Sequence, residues 1–486
     1  MTTIAFQTEF RPALPVVYGA KDYREFRATL EEIDHILTAT SLEDRMLRRY
    51  MALRKQTGQK DYKRVRQALR YALLLALTGL PCRALSHRVA DSTLFQWFTH
   101  TSEIDGVRPV SKSTVERYEK TFSRAQIKQL IHDCNTAVSN EAGARALLYS
   151  ETELAFDEIF VDTTCVKNNI HYPVDWLLLR DAARTLIKAI TLIRNQGLRH
   201  RMQPPEKFLE EMNQRCIEMT HARKTKGAKK KRKAIFRRMK QLIQNIAKHA
   251  RRYYDLLEAR WAETSWSELE AQVVLNRMQG ILTQIPQAIR QAHERIIGER
   301  RVQNKDKILS LYEPDARVLV RGKADAEVEF GNGLYLAEQA DGLIVDWHFT
   351  QEQPPGDTKL VKDSLQRLTK IYGPPTSYAA DRGFDAEDNR DKLAELGIVN
   401  GICPRSVPVL QERLEDDEFT RLQKRRAATE ARIGIFKNVY LGKPLRSKGF
   451  AHRALRIEWC ILAHNLWKLG CMAAERQEAL QLKEAA

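Results

Sequence analysis

The segment Arg426-Ala-Ala-Thr-Glu430-Ala-Arg-Ile-Gly-Ile-Phe-Lys437 puts an arginine, a glutamate and a lysine at offsets of 0, 4 and 11. An α-helix advances ~100° per residue, so Glu430 falls about 40° and Lys437 about 20° from Arg426, all on one face. A carboxylate flanked by cations suits a site that holds a metal ion and a phosphate backbone together. Phosphoryl transfer then needs little beyond further carboxylates. Phe156-Asp-Glu-Ile-Phe-Val-Asp162-Thr-Thr reads as a short buried strand ending on Asp162, and Ser377-Tyr-Ala-Ala-Asp381-Arg-Gly-Phe384 as a second ending on Asp381 at a glycine turn. Two strand-end aspartates and one helical glutamate can converge on two Mg²⁺ ions. The same residue types have plainer uses. A strand-end Asp often serves as a turn or cap residue, and Glu430 is also placed for an i,i+4 pair with Arg426. Asp157, the rival to Asp162, stands at the strand's beginning. Asp385 and Asp388 read as turn and cap residues.

The elements that must position these groups follow a recognisable order. Residues 20–135 read as helical. One helix, Arg66-Gln-Ala-Leu-Arg-Tyr-Ala-Leu-Leu-Leu-Ala-Leu, stops at Gly79-Leu-Pro81. Ser113-Thr-Val-Glu116 fits a capping box. Helix, Gly/Pro turn, helix is compatible with a helix-turn-helix or with a plain packing domain. After the Asp162 strand, residues 175–300 are almost wholly helical in spacing. Within them Arg223 to Lys240 carries eleven Lys/Arg and no acid. That tract is either a solvated basic face or a phosphate contact, and Lys229, Lys230, Lys231, Arg232, Lys233, Arg237 and Arg238 are its candidate DNA-binding residues. Trp261 and Trp266 read as packing residues before base-stacking ones. Strand patterns return at 316–320, 327–336 and 343–349, with Asp341-Gly342 as a hairpin turn. Helices at 358–371 and 386–396 then alternate with the Asp381 strand and with Ile398–Cys403. The pattern alone gives an α/β class.

The expected domains are 1–150, helical; 151–172, the first part of a catalytic core; 173–304, a basic helical insertion; and 305–486, the rest of the core. A chain of 486 residues exceeds what one core usually holds. Its net charge of +18 and pI near 9.5 favour a polyanionic partner, nucleic acid first. No apolar run approaches the ~20 residues of a membrane span, so no membrane partner is expected. Met-Thr-Thr-Ile-Ala-Phe-Gln lacks the blocks of a signal peptide. The seven cysteines include no CxxC, which argues against a zinc site or disulfide framework and fits a reducing cytosol.

Taken together, these motifs resemble a bacterial insertion-sequence transposase of the DDE type, in the superfamily with the Tyr-x2-Arg-x3-Glu-x6-Lys (YREK) signature. The chain has Gln423-x2-Arg426-x3-Glu430-x6-Lys437, with Gln423 in place of the tyrosine. Asp162-Thr-Thr resembles the family's Asp-Gly-Thr, and Ala380-Asp381-Arg-Gly-Phe its Ala-Asp-Arg/Lys-Gly-Tyr. Ala463-His-Asn465-Leu resembles the helix after the catalytic one, and Pro109–Arg117 the end of the N-terminal helical domain. Some branches carry a helical insertion after the first catalytic strand, and Glu313-Pro-Asp315 resembles the point where their core resumes. The resemblance implies a ribonuclease H-like core interrupted by a helical insertion, behind an N-terminal all-helical domain that binds DNA or dimerises. It implies Asp162, Asp381 and Glu430 as catalytic and metal-binding residues, with two Mg²⁺ (or Mn²⁺), and Gln423, Arg426 and Lys437 at the DNA. It further implies double-stranded DNA as partner, both inverted-repeat ends and target, a homodimer on that DNA, and a bacterial cytoplasmic, nucleoid-associated location. The activity implied is cleavage at transposon ends and transfer of the 3′-hydroxyl into target DNA. The rival readings are a nuclease with the same triad but no strand transfer, and a non-catalytic DNA-binding relative.

Overall fold

The computed structural model describes residues 11–55, 58–222, 227–323, 326–442 and 444–485. The N-terminal segment read for a signal peptide, and residues 223–226 at the head of the basic tract, lie outside the described residues. The chain forms a mixed α/β structure, mostly helical, in two compact units. The first contains the chain up to Val166, Gly333–Thr350 and everything from Pro354 on; the second contains Lys167–Asn332 and Gln351–Gln353.

In the first unit the N-terminal part is helical: α1 (Lys21–Ala39), α2 (Leu42–Leu53), α3 (Gln59–Thr78), α4 (Cys82–Asp91), α5 (Thr93–Thr99), then a two-residue-stranded hairpin, β1 (Ser102–Glu103) and β2 (Gly106–Val107), and α6 (Lys112–Glu119), α7 (Arg124–Ala137) and α8 (Glu141–Leu148). Gly79 ends α3 in the left-handed region (φ +63°), and α4 leaves at 106° to α3, a helix-turn-helix angle. α6 starts on Ser111, whose side chain caps Thr114 N–H, two residues before the expected capping box. A reciprocal box instead opens α7 at Ser123/Gln126.

The sheet follows. Strand β3 (Glu158–Lys167) runs parallel to β7 (Ser377–Ala380), which runs parallel to β8 (Val399–Ile402). On the other side of β3 lies β5 (Ala326–Glu338), whose C-terminal half pairs antiparallel with β6 (Ile344–Phe349). The order within this unit is therefore β6-β5-β3-β7-β8. Helices α13 (Leu360–Tyr372), α14 (Glu387–Glu395), α15 (Val407–Arg413) and α16 (Asp417–Ile435) fill the connections, and α17 (Phe450–Ala485) closes the chain. α17 packs on α1, α3 and α7. Its Asn465 accepts from Ile344 N–H (2.9 Å) and donates to Ile344 C=O (2.8 Å), satisfying that residue of β6 as a neighbouring strand would.

The second unit is built on α9 (Asp175–Asn195), which packs against α10 (Pro205–His221), α11 (Ala228–Arg260) and α12 (Glu268–Ile296). Its buried stripe, including Leu179, Ala183, Leu186 and Ile190, recurs at helical spacing. Trp261 and Trp266 pack against this core. Strand β4 (Arg317–Lys323) pairs antiparallel with the first half of β5, so the unit reaches past residue 304 to Asn332. Among the described residues, no single helix is long and apolar enough to cross a membrane.

Candidate active site

Strand alternation decides where Asp162 points. Ile159 and Val161 enter the large core of the first unit, whereas Phe160 packs with Ala379 and Leu422 in a small cluster under α16. Asp162 and Thr164 share the Phe160 face, since side chains two apart leave a strand on the same side. By the same alternation Asp381 shares the Ala379 face. Phe160 pairs with Ala379 across the parallel strands. Asp162 lies two residues beyond Phe160 within β3, and Asp381 two beyond Ala379, just past the end of β7. Asp157, at the other end, accepts from Thr376 and Ser377 N–H through its carbonyl and belongs to the strand's start.

Each aspartate is held by a nearby backbone N–H, Asp162 within β3 and Asp381 at the turn after β7. Asp162 Oδ1 accepts from Thr163 N–H (2.6 Å), and Asp381 Oδ1 from Gly383 N–H (2.8 Å). The second oxygen of Asp381 accepts no hydrogen bond from the described residues. Gly383 leaves room for two carboxylates: a Cβ there would lie 2.9 Å from Asp381 Oδ1 and 3.0 Å from Asp357 Oδ2, so both would have to shift. Asp357, which sequence reading passed over, is thus a further carboxylate beside the Asp381 turn. Arg405 ties the turn down by donating to the carbonyls of Arg382 (3.1 Å) and Gly383 (3.0 Å). Asp385 pairs with Arg390 and accepts from Arg405 N–H, a turn residue as expected.

Helix α16 brings the remaining residues to this edge. Gln423 donates to the carbonyls of Ala380 and Gly401, the first immediately before Asp381. Its Oε1 accepts from Arg426 Nε (3.1 Å), and Arg426 Nη1 meets Glu430 Oε1 at 3.4 Å. Lys437 Nζ donates to Thr164 Oγ1 (3.0 Å), two residues beyond Asp162 on the same face. The α-helix, however, ends at Ile435, and Lys437 lies in a π-helical segment, Phe436–Leu441. The straight-helix angle deduced for Lys437 therefore does not apply, because a π turn holds more residues than an α turn. Ala427, Ala428 and Ala431, between the charged positions, are exposed.

The rotation of α16 is set by a clamp invisible in the signature. Glu338, buried at the end of β5, accepts from Arg425 Nη1 (3.0 Å), Thr429 Oγ1 (2.8 Å) and Arg432 Nη1 (3.0 Å), all on one face of α16. Arg425 also lies 4.4 Å over the Phe160 ring. Gly342 makes room for the clamp: its φ is +92°, and a Cβ would come within 2.9 Å of the Arg432 guanidinium.

An oxygen-only donor set suits a hard dication such as Mg²⁺. Asp162 and Asp381 supply carboxylate oxygens of that kind. Glu430 does not join them: it is paired to Arg426, its side chain is 63% exposed, and no cluster of three metal-ligating residues occurs among the described residues. The physical reason is local charge: without a dication, a third carboxylate is better placed against the cation four residues away than beside two others.

The basic tract lies on α11 in the second unit. Its charges are not wholly uncompensated, because Glu299 pairs with Lys229 (2.9 Å) and Lys233 (2.8 Å). Arg237 and Arg238 have no carboxylate within 4 Å among the described residues.

The sheet thus carries Asp162 in β3 and Asp381 just past the neighbouring β7, beside a helix that holds Gln423, Arg426 and Glu430. Residues 336–466, from β5 into α17, match the family model for the transposase DDE domain, which supports a DDE transposase family. No curated protein and no solved structure matches the chain.

Proposed function

We propose that this chain is a DNA transposase of the YREK branch with a ribonuclease H-like core, cutting transposon ends and joining the freed 3′-hydroxyl to target DNA. The observation that supports the reading most is the parallel pairing of β3, which holds Asp162, with β7, which leads into Asp381, beside α16. The β6-β5-β3-β7-β8 sheet, a strand with a hairpin on one side and α/β alternation on the other, supports the ribonuclease H-like part.

Asp162 and Asp381 would hold Mg²⁺, and Glu430 would complete the set once it leaves Arg426. The ions, when bound, activate water and neutralise charge on the scissile phosphate. Arg426, released from Glu430, offers a two-pronged donor to a phosphate, and Lys437 a point charge beside the β3 edge. Gln423 keeps Arg426 aimed during that exchange. Arg237, Arg238 and the neighbouring lysines of α11 would hold DNA by its backbone. A homodimer on DNA and a cytoplasmic setting belong to the same proposal.

The test is incubation of the full chain with a duplex carrying the inverted repeat that flanks its gene, in Mg²⁺ or EDTA, with a target plasmid. Mg²⁺-dependent cutting followed by joining is expected. Cutting without joining would favour a nuclease, and no metal-dependent cutting would overturn the catalytic reading.

A further inference from the structure

The second unit contains an open groove of about 650 Å³ between α11 and α12. One wall is polar: Lys240, Gln241, Gln244, Asn245, Lys248 and Arg251 of α11. The other is apolar: Leu282, Ile285, Pro286 and Ile289 of α12. Neither wall contributes a carboxylate. The α11 residues recur every three or four positions, forming a stripe from Lys240 to Arg251 that is ~16 Å long at the α-helical rise. None of Lys240, Lys248 and Arg251 has a carboxylate within 4 Å among the described residues. From Ala228 to Tyr254 the helix carries eleven Lys/Arg and no Asp or Glu. Amphipathic helices usually offset such charge on their own surface. Here the offset at the N-terminal end, Glu299, reaches only Lys229 and Lys233.

We infer that this groove seats one strand of a DNA duplex, with Lys240, Lys248 and Arg251 on phosphates along it, the amides beside the sugars and the apolar wall against their exposed edges. The inference rests on the transposase reading for the identity of the polyanion but concerns a site apart from Asp162 and Asp381, one that begins at Lys240, the last residue of the basic run, and continues to Arg251. At ~3.4 Å of helix axis per nucleotide, the stripe spans roughly five nucleotides of one strand. Phosphate contacts position DNA without reading its sequence, so the groove serves ends and target alike.

The experiment measures binding of the full-length chain to a 40-base-pair random duplex in EDTA across a salt series, by fluorescence anisotropy. The triple variant Lys240→Gln, Lys248→Gln, Arg251→Gln should bind at least ten times more weakly and flatten log K against log salt by about 2–3, at ~0.9 per phosphate contact. The charge-keeping set Lys240→Arg, Lys248→Arg, Arg251→Lys should restore both. Gln244→Trp, at an exposed position, fills the groove without touching its charge and should also weaken binding several-fold. An unchanged salt slope in the triple variant, or wild-type affinity in Gln244→Trp, overturns the groove. In either case metal-dependent cutting by the wild type still stands as evidence for the catalytic reading. Absence of duplex binding by the wild type overturns both.

Discussion

Two helices of this chain carry comparable densities of cations and use them in opposite ways. On α16 the arginines are engaged: Arg421 with Glu158 and Glu418, Arg425 and Arg432 with Glu338, Arg426 with Glu430. On α11 Arg237, Arg238, Lys240, Lys248 and Arg251 have no such partner among the described residues. The first arrangement fixes geometry, because a planar guanidinium bonded twice has few orientations left. The second leaves charge for a polyanion that is not part of the chain. Cation content therefore says little about role; the location of the opposing carboxylates says more.

The sharpest way to break the comparison is at the site that α16 serves. Asp162→Asn and Asp381→Asn should each reduce metal-dependent cutting to background while leaving gel-shift affinity in EDTA within about twofold, since a metal ligand is lost and the phosphate contacts are not. Glu430→Gln should do the same. Near-normal cutting by any of the three would remove that residue from the site.

The clamp comes next. Glu338→Ala leaves two arginines without their buried partner, a change worth ~3–5 kcal/mol for well-buried pairs and less where the arginines reach solvent. We expect about 2–3 kcal/mol lost in urea unfolding, together with slower cutting. A variant as stable as wild type would mean that α16 is held mainly by Phe160, Ala379 and Leu422.

Smaller still is the effect of altering a phosphate-facing cation. Arg426→Lys keeps the charge but loses the fork, and should slow single-turnover cutting about tenfold, as a charge-assisted contact is worth ~1.5–3 kcal/mol. Lys437→Gln should also slow cutting. If both cut at the wild-type rate, the shared signature is coincidental.

The smallest effect distinguishes paired from unpaired cations within α11. Replacing Arg237 and Arg238 by Gln should flatten the salt dependence of DNA binding by up to ~1.8 units, at ~0.9 per contact. Replacing Lys229 and Lys233 should flatten it less, because Glu299 already competes for them. Equal effects from the two pairs would show that Glu299 gives way on binding.

The elements that carry the candidate residues were legible where they depend on local signals: an apolar run into Asp162, a glycine turn after Asp381 and a helix holding Glu430 are each written within ten residues. The strand expected to end on Asp162 instead continues to Lys167, because Cys165 and Val166 extend its buried alternation. Strand and helix boundaries followed to within a few positions for β6, β7, β8, α13 and α14. What could not be read is what depends on pairing across long separations. Glu338 meets residues some ninety positions away, and Glu299 meets Lys229 seventy away. No periodicity links such partners. The π-helical segment was hidden for a different reason, since Gly434, two residues before its start at Phe436, signals a helix end but not a π turn. Gly342 was read as a turn residue, but the guanidinium it accommodates was not foreseeable.

The point at which the chain leaves the sheet also matters for how the protein is made. β3 emerges from the ribosome with Asp162, but its parallel neighbour β7 follows only after residues 167–376 have been synthesised. At ~5–20 residues per second this takes roughly 10–40 s. Before that interval ends the second unit has all its residues, through Gln353, whereas the first strand has no parallel partner and Asp381 has not been made. A nascent or truncated chain can therefore hold a folded, basic helical unit while lacking the paired carboxylates. Asp381 and Glu430 arrive last, with the residues that complete the fold.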